Sequence, residues 1–297
     1  MALWKDPKWY NSEKRIEQLD DHIHRTGQVR YGLKTYGENE KLEAVIRHFN
    51  RVAQKYDFMN SLLSFGIQHV WKRKAVRLLA LKYGDWVLDV CGGTGDLARL
   101  AASRTGPGGK VVIYDINRAM MAVGRQNVAG SPLSKSIFWM QGNAEDVTFA
   151  NNSFDAAMVG FGIRNLTHMT KGFQEMHRIL KPGGKFLCLE FSKPALPAFR
   201  MVYDFYSFNI MPLLGKLIVG SAESYACLSE TIRMFPLPDE LSAMLRNIGF
   251  HRVYYHRMTN GIAVAHVGLK EQSNGLLQNT NQNKSENGHG IVTGSVK

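Results

Sequence analysis

Trp86-Val-Leu-Asp-Val-Cys-Gly-Gly-Thr-Gly-Asp96 decides the fold. Its apolar run reads as a buried strand, its glycines as a turn and Asp96 as the start of a helix. A strand that ends in such a turn delivers backbone N–H groups to the C-terminal edge of a parallel sheet, with the Asp89 carboxylate beside them. Gly92, Gly93 and Gly95 let the backbone turn tightly and approach a ligand, and Thr94 adds a hydroxyl. A glycine turn by itself would equally cap a structural helix. The next strand separates the two readings. Lys110 to Ile116 is a second buried run ending at Asp115, 20 residues after Gly95, an offset suited to holding a ribose diol. The pattern G-G-x-G-D then selects the ligand. It lacks the G-x-G-x-x-G that spans a pyrophosphate and the G-x-x-x-x-G-K-[ST] that cradles phosphates. Acids at the turn suit a nucleoside that carries an ammonium and no phosphate. S-adenosylmethionine has both features.

Further strands lead to the same edge. Ile137 to Met140 precedes Gln141-Gly-Asn-Ala-Glu-Asp146, where Asn143 and Glu145 either face an adenine or simply form the turn. Ser153 to Phe161 stops at Gly162-Ile-Arg-Asn165. Arg164 there is a cation at the mouth of an apolar cleft, held for a substrate oxyanion or an acidic partner, or else a surface ion pair. His168 to Leu180 is a helix with a stop signal at Lys181-Pro-Gly-Gly184, and Lys185 to Glu190 is the next strand. His168 and His177 read as surface or packing residues. Upstream, Leu42 to Tyr56 has the three-to-four spacing of a helix, Asp57 to Asn60 reads as a turn, and a second helix runs from about Gln68 to Leu81. These helices either fold over the sheet edge as a lid or pack against it. Pro197 to Gly220, Ser224 to Met234 and Pro238 to Ile248 read as helices. His251 to His256 and Ile262 to Gly268 read as closing strands at an antiparallel end of the sheet.

Composition narrows the partners less. The net charge of +12 suits nucleic acid or an anionic membrane, yet the basic residues are spread along the chain, with one local cluster at Lys72-Arg73-Lys74 and Arg77. Nucleic acid is disfavoured, because no basic stripe with interleaved stacking aromatics occurs. Cys91, Cys188 and Cys227 read as reduced thiols, and no cysteine–histidine spacing resembles a zinc site. The apolar stretch from Phe208 to Val219 is interrupted by Asn209, Pro212, Gly215 and Lys216, so membrane contact is expected to be peripheral. Acids at positions 6, 13, 17, 20 and 21 argue against a cleaved secretory signal or an acid-poor presequence.

Separated motifs then agree. Asp89 to Asp96, Leu180-Lys-Pro-Gly-Gly184 and Leu189-Glu-Phe-Ser-Lys-Pro194 resemble the class I S-adenosylmethionine-dependent methyltransferases. More narrowly, Lys55-Tyr-Asp57, Met59-Asn60, Ser64-Phe-Gly66, Trp71-Lys-Arg73, Gly142-Asn-Ala-Glu145, Phe161-Gly-Ile-Arg-Asn165 and Tyr203 to Phe208 resemble the UbiE/COQ5 family of quinol C-methyltransferases. The resemblance runs from roughly Tyr31 to Lys270. It implies an α/β, Rossmann-like class I methyltransferase fold: a mostly parallel seven-stranded sheet whose last strand is antiparallel. It also implies ring C-methylation of a polyprenylated quinol, 2-methoxy-6-polyprenyl-1,4-benzoquinol and/or demethylmenaquinol, in ubiquinone or menaquinone biosynthesis.

Residue by residue, the resemblance implies that Thr94 and its glycines hold the methionyl part, that Asp115 binds the ribose and that Asn143 and Ala144 flank the adenine. Gly160 stands where the family usually has serine, and Ala226 where it has a larger polar residue. Tyr56, Arg164 and Asn165 match positions expected to face the quinol ring. The implied organisation is an arm over 1–40, a methyltransferase domain over 41–270 and a disordered tail over 271–297. Within the domain lie lid helices over 41–82 and a helical insertion over 198–235 for the prenyl tail or a dimer. Peripheral membrane contact and a homodimer or quinone-biosynthesis complex are the expected associations. The expected location is the cytoplasmic face of a bacterial membrane or the matrix side of the mitochondrial inner membrane. The alternatives are a methyltransferase for another lipophilic phenol or small metabolite, a nucleic-acid methyltransferase, or a non-catalytic assembly subunit.

Overall fold

Alternation along the central strands sets the layers. Ala156 and Met158 join one apolar cluster, while Ala157 and Val159 join another; Leu187 and Leu189 oppose Phe186 and Cys188 in the same way. Two apolar sets at a period of two make a sheet buried on both faces. The computed structural model, which describes residues 20–272, contains that sheet.

The chain starts with α1 (Asp20–Thr26) and a hairpin of β1 (Gln28–Tyr31) and β2 (Lys34–Gly37). Next come α2 (Glu38–Val52), α3 (Tyr56–Leu63) and α4 (Ile67–Leu78). The sheet is made by β3 (Trp86–Val90), β4 (Lys110–Asp115), β5 (Ile137–Gln141), β6 (Phe154–Gly160), β7 (Leu180–Phe191), β8 (Phe250–Met258) and β9 (Ala263–Lys270). Their order is β5-β4-β3-β6-β7-β9-β8, with β9 antiparallel to both neighbours and the other pairs parallel. The expected seven-stranded fold with an antiparallel last strand is present.

One face is covered by α4, α5 (Asp96–Thr105) and α6 (Arg118–Val128), the other by α7 (Met169–Ile179) and α11 (Pro238–Ile248). Phe173, wholly buried against Phe186, shows the strength of this packing: truncating such a ring costs about 3–5 kcal/mol. The region expected as an insertion holds α8 (Pro197–Phe205), a π-helical turn, α9 (Met211–Val219) and α10 (Ala222–Met234). Met211 and Tyr225 from that region pack on Met59 and Leu63 of α3.

Three local expectations differ. Asp57 to Asn60 lies inside α3 rather than in a turn; an acid in a helix's first turn meets the positive end of the macrodipole. Lys181 to Gly184 does not separate a helix from a strand, because β7 begins at Leu180. A register shift between Phe154 and Ala156 absorbs those residues as a bulge. The β1–β2 hairpin occupies part of the stretch read as an arm. Residues 1–19 of that arm, and the tail beyond Gln272, lie outside the described residues.

Candidate active site

Because β3, β4, β5, β6 and β7 run parallel, their last residues meet at one edge. Strand order reverses at β3, whose neighbours are β4 and β6, and ligands bind α/β sheets at such a switch point. Asp115 closes β4. Its Oδ2 accepts from the Gly93 N–H at 2.8 Å and its Oδ1 from the Asn117 N–H at 2.7 Å. Burial pushes its carboxyl upward and these two donors oppose the shift. Each oxygen retains a lone pair for a diol.

Asp89 differs. Neither carboxylate oxygen meets full hydrogen-bond geometry with a partner among the described residues; burial first, with Asp115 and Asp96 adding to it, pushes its carboxyl up to about 8 against the opposing pull of the nearby Ala98 backbone N–H. It lines a cleft of about 1000 Å³, open solvent included. A buried polar group without a partner is costly, and a cationic ligand would complete this one. Gly92 forms the adjoining floor. A Cβ there would fall 2.9 Å from Ile113 Cγ2 and 3.0 Å from the Asp89 carbonyl oxygen, so the backbone approaches too closely for a side chain. An orphaned acid, an anchored acid and a bare backbone floor fit the ammonium and ribose of S-adenosylmethionine.

Gly93, Thr94, Asn143, Ala144 and Gly160 line the same cleft. Gly95 supplies the left-handed residue that starts α5 and stands outside that lining. Asn143 Oδ1 accepts from the Glu145 N–H at 3.0 Å, and Glu145 Oε1 accepts from the N–H groups of Thr167 and His168. Glu145 therefore straps the loop after β6. The Thr94 hydroxyl donates to Asp57 Oδ1 at 2.6 Å, so its proton faces α3 rather than the cleft. At Gly160, a Cβ would meet Leu97 Cδ1 at 2.5 Å. Leu97 fills the space that a serine side chain would need.

Phe49, Tyr56, Phe161 and Asn165 line both this cleft and a second cavity of about 1670 Å³, open solvent included. Tyr56 is half-buried, and the desolvation of its hydroxyl raises the phenol pKa. Phe161 follows β6 with φ 57°, and Cys91 follows β3 with φ 53°. Left-handed backbone at a non-glycine residue costs roughly 1–2 kcal/mol. That distortion seats the Phe161 ring 4.3 Å, centroid to centroid, from Phe191. Aromatic residues from the α8 region, Phe199, Tyr203 and Tyr206, wall the far side.

Arg164 supplies this cavity's cation. Its Nη1 donates to both Glu190 oxygens at 3.0 Å and to the Phe161 carbonyl at 2.5 Å. The pair is buried, with 7% and 2% of the side chains exposed, so the surface ion pair is excluded. Burial works against the Arg164 cation, but Glu190 outweighs it and the guanidinium pKa lies above its ordinary value. Burial pushes the Glu190 carboxyl up. Sequence reasoning assigned no role to Glu190, although its place at a strand end, on the edge that carries Asp89 and Asp115, was a readable sign. It also missed His48, which lines the second cavity from α2.

The profile of the ubiE/COQ5 methyltransferase family matches residues 35–270. The chain belongs to that family. Like the family, it is an S-adenosylmethionine-dependent methyltransferase. The ubiquinone/menaquinone biosynthesis C-methyltransferase UbiE of Legionella pneumophila (strain Paris) is 45% identical over 240 residues, covering 81% of this chain and 96% of that protein. The UbiE of Ectopseudomonas mendocina (strain ymp) is 46% identical, covering 81% and 94%. The crystal structure of an SAM-dependent methyltransferase from Aquifex aeolicus aligns with a TM-score of 0.52 at 17% identity, covering 72% of this chain and 97% of that one. At that identity the likeness is one of fold.

Proposed function

We propose that this UbiE/COQ5-family member methylates a ring carbon of a polyprenylated quinol, a 2-methoxy-6-polyprenyl-1,4-benzoquinol and/or demethylmenaquinol, in ubiquinone or menaquinone biosynthesis. One observation carries the reading: the cleft that fits S-adenosylmethionine and a larger, mainly apolar cavity share a wall containing Tyr56 and Asn165, with Arg164 beside it. When bound, S-adenosylmethionine supplies an electrophilic methyl group on a sulfonium.

The residues mainly position. Asp89 takes the ammonium, Asp115 the ribose diol, and Asn143 and Ala144 the adenine. The wall sets the ring carbon in line with the methyl, and such alignment contributes much of the rate in two-substrate reactions. Arg164 stabilises the phenolate that makes the neighbouring carbon nucleophilic, and Tyr56 and Asn165 orient it. α2 and α3 act as the lid. Lys41 Nζ on the Leu166 carbonyl at 2.5 Å and Asn117 on the Ile46 carbonyl at 3.2 Å support that role. The test supplies labelled methyl donor with prenylated benzoquinol, demethylmenaquinol and unrelated phenols. Label appearing only in unprenylated phenols sinks the reading. Mass spectrometry of quinone intermediates that accumulate without the protein identifies which ring it serves.

The reading extends to location: a membrane-peripheral enzyme, on the cytoplasmic face in a bacterium or the matrix side of the inner membrane in a mitochondrion. Among the described residues no helix is long and apolar enough to cross a membrane. Phe65 (79% exposed) and Val202 (67% exposed) line the second cavity, and Met201 and Leu217 are exposed on α8 and α9. An apolar rim on a chain of charge +12 suits an anionic leaflet. Met201→Asp with Leu217→Asp is expected to weaken co-sedimentation with phosphatidylglycerol vesicles about tenfold or more, each lost apolar contact being worth ~1.5–3 kcal/mol when fully buried. Turnover of a short-chain soluble quinol should stay unchanged. Undiminished vesicle binding assigns the contact to another face.

A further inference from the structure

Ring methylation replaces a C–H by a C–CH₃ and releases one proton from a mainly apolar cavity. That cavity has a polar neighbour of about 880 Å³, open solvent included, whose lining includes Lys34, Arg47, Arg51, Glu223 and Glu230. Tyr31, His48 and Ser224 line both spaces. The Ser224 hydroxyl is paired with that of Ser221 at 2.9 Å, and burial raises the Tyr31 phenol pKa well above its ordinary value, so neither accepts a proton readily. His48 remains. Its ring stands edge-on to Tyr31 at 6.2 Å and to Phe49 at 5.1 Å, between centroids. Neither ring nitrogen has a hydrogen-bond partner among the described residues. Phe49 belongs to the wall shared with the cofactor cleft, so His48 stands one ring away from that wall.

We infer that His48 is the proton acceptor of the methyl transfer, taking the quinol hydroxyl proton in the apolar cavity and releasing it to water in the polar space. The inference rests on the quinol reading above. The hydroxyl proton passes to the imidazole, and the oxygen's electron pair moves into the ring. The adjacent ring carbon bonds to the methyl as the C–S bond breaks, its electrons staying on sulfur. The imidazolium gives its proton to solvent. The ring proton then moves from carbon to oxygen through the neutral imidazole, and the arene reforms. One proton leaves per methyl, as the balance requires.

Electrostatics keep this acceptor neutral while making it a weaker base than ordinary imidazole. Burial, then the cations Arg164 and Arg51, push the His48 imidazole down to about 4, with Glu223 opposing, so it is neutral when substrate enters. Lys34, Arg47, Glu230, Cys227 and the phenol Tyr36 in the polar space, with the phenols Tyr31, Tyr56, Tyr203, Tyr206 and Tyr225 on the apolar side, are its other titratable surroundings. Arg164 lowers the pKa of a nearby phenol and a phenolate raises that of the imidazole, which couples the two ends of the transfer.

His48→Phe keeps the ring packing, and His48→Gln keeps a hydrogen-bonding group that accepts no proton near neutrality. Both are expected to bind S-adenosylhomocysteine and to melt like wild type, while kcat at pH 7 falls about 100-fold, the usual scale for losing a general base. Wild-type kcat should be flat from pH 7 to 9. The variants should rise with pH as hydroxide substitutes, and added imidazole should restore His48→Phe through the polar space. Near-wild-type kcat in either variant overturns the proposal, as does a loss with neither pH slope nor rescue. If His48→Phe misfolds, the pH slope of His48→Gln decides. Wild type that methylates no prenylated quinol overturns the substrate reading, and this inference with it.

Discussion

Replacing Arg164 by alanine is expected to lower kcat by about 100- to 1,000-fold, the usual loss on removing one preorganised electrostatic contact to a developing oxyanion. Affinity for S-adenosylhomocysteine should change little, because Arg164 lines the second cavity and not the cofactor cleft. The single variant also leaves Glu190, 2% exposed, without its cation. Breaking a buried pair from one side costs roughly 3–5 kcal/mol, so lower stability will accompany the lost activity. Arg164→Ala with Glu190→Gln removes the stranded charge and should recover most of the melting temperature while kcat stays low. That split separates the two roles of the guanidinium. Equal loss of cofactor affinity in the double variant would remove Arg164 from the substrate side. Recovery of kcat together with stability would make the pair purely structural.

The chain showed its fold where local pattern and burial coincide. The alternation of Ala156 to Val159, the glycine turn and the spacing to Asp115 needed no tertiary information. The hairpin of β1 and β2 did not show, because its strands are four residues each and only Val29 and Tyr31 are buried in them. Asp57 looked like a turn residue because its partners, Thr94 and Asn127, lie 37 and 70 positions away. The site divides along the same line. Asp89, Asp115 and Gly92 are placed by backbone geometry at strand ends, which sequence spacing encodes. Glu190 and His48 are defined by what stands opposite them, Arg164 and a cavity, and helical periodicity gives a buried face without saying whether it meets a sheet or a cavity.

Asp89→Asn should gain stability and lose function. In the unfolded chain Asp89 ionises near 3.8, whereas in the ligand-free fold it holds its proton up to about 8. Between those values the folded state binds more protons, so this group's contribution is complete below pH 4 and is lost as pH rises through 8. The loss is on the order of a few kcal/mol. Asparagine has no such titration, so the ligand-free variant should melt higher than wild type at pH 8 to 9. Asp115, whose carboxyl is also raised, leaves a residual slope of the same sign. Ligand binding reverses the ranking. An ammonium beside Asp89 favours the carboxylate, so wild-type affinity for S-adenosylhomocysteine should rise with pH across this window. The variant should bind about 10- to 100-fold more weakly at pH 8, the scale of a charge-assisted hydrogen bond. Calorimetric titration and thermal unfolding from pH 5 to 9 measure both halves. A variant that binds as tightly as wild type would mean that another group holds the ammonium. A variant that keeps the full wild-type stability slope would mean that the titrating carboxyl is elsewhere. If both expectations hold, the orphaned carboxylate is a stability cost retained because the bound cofactor removes it.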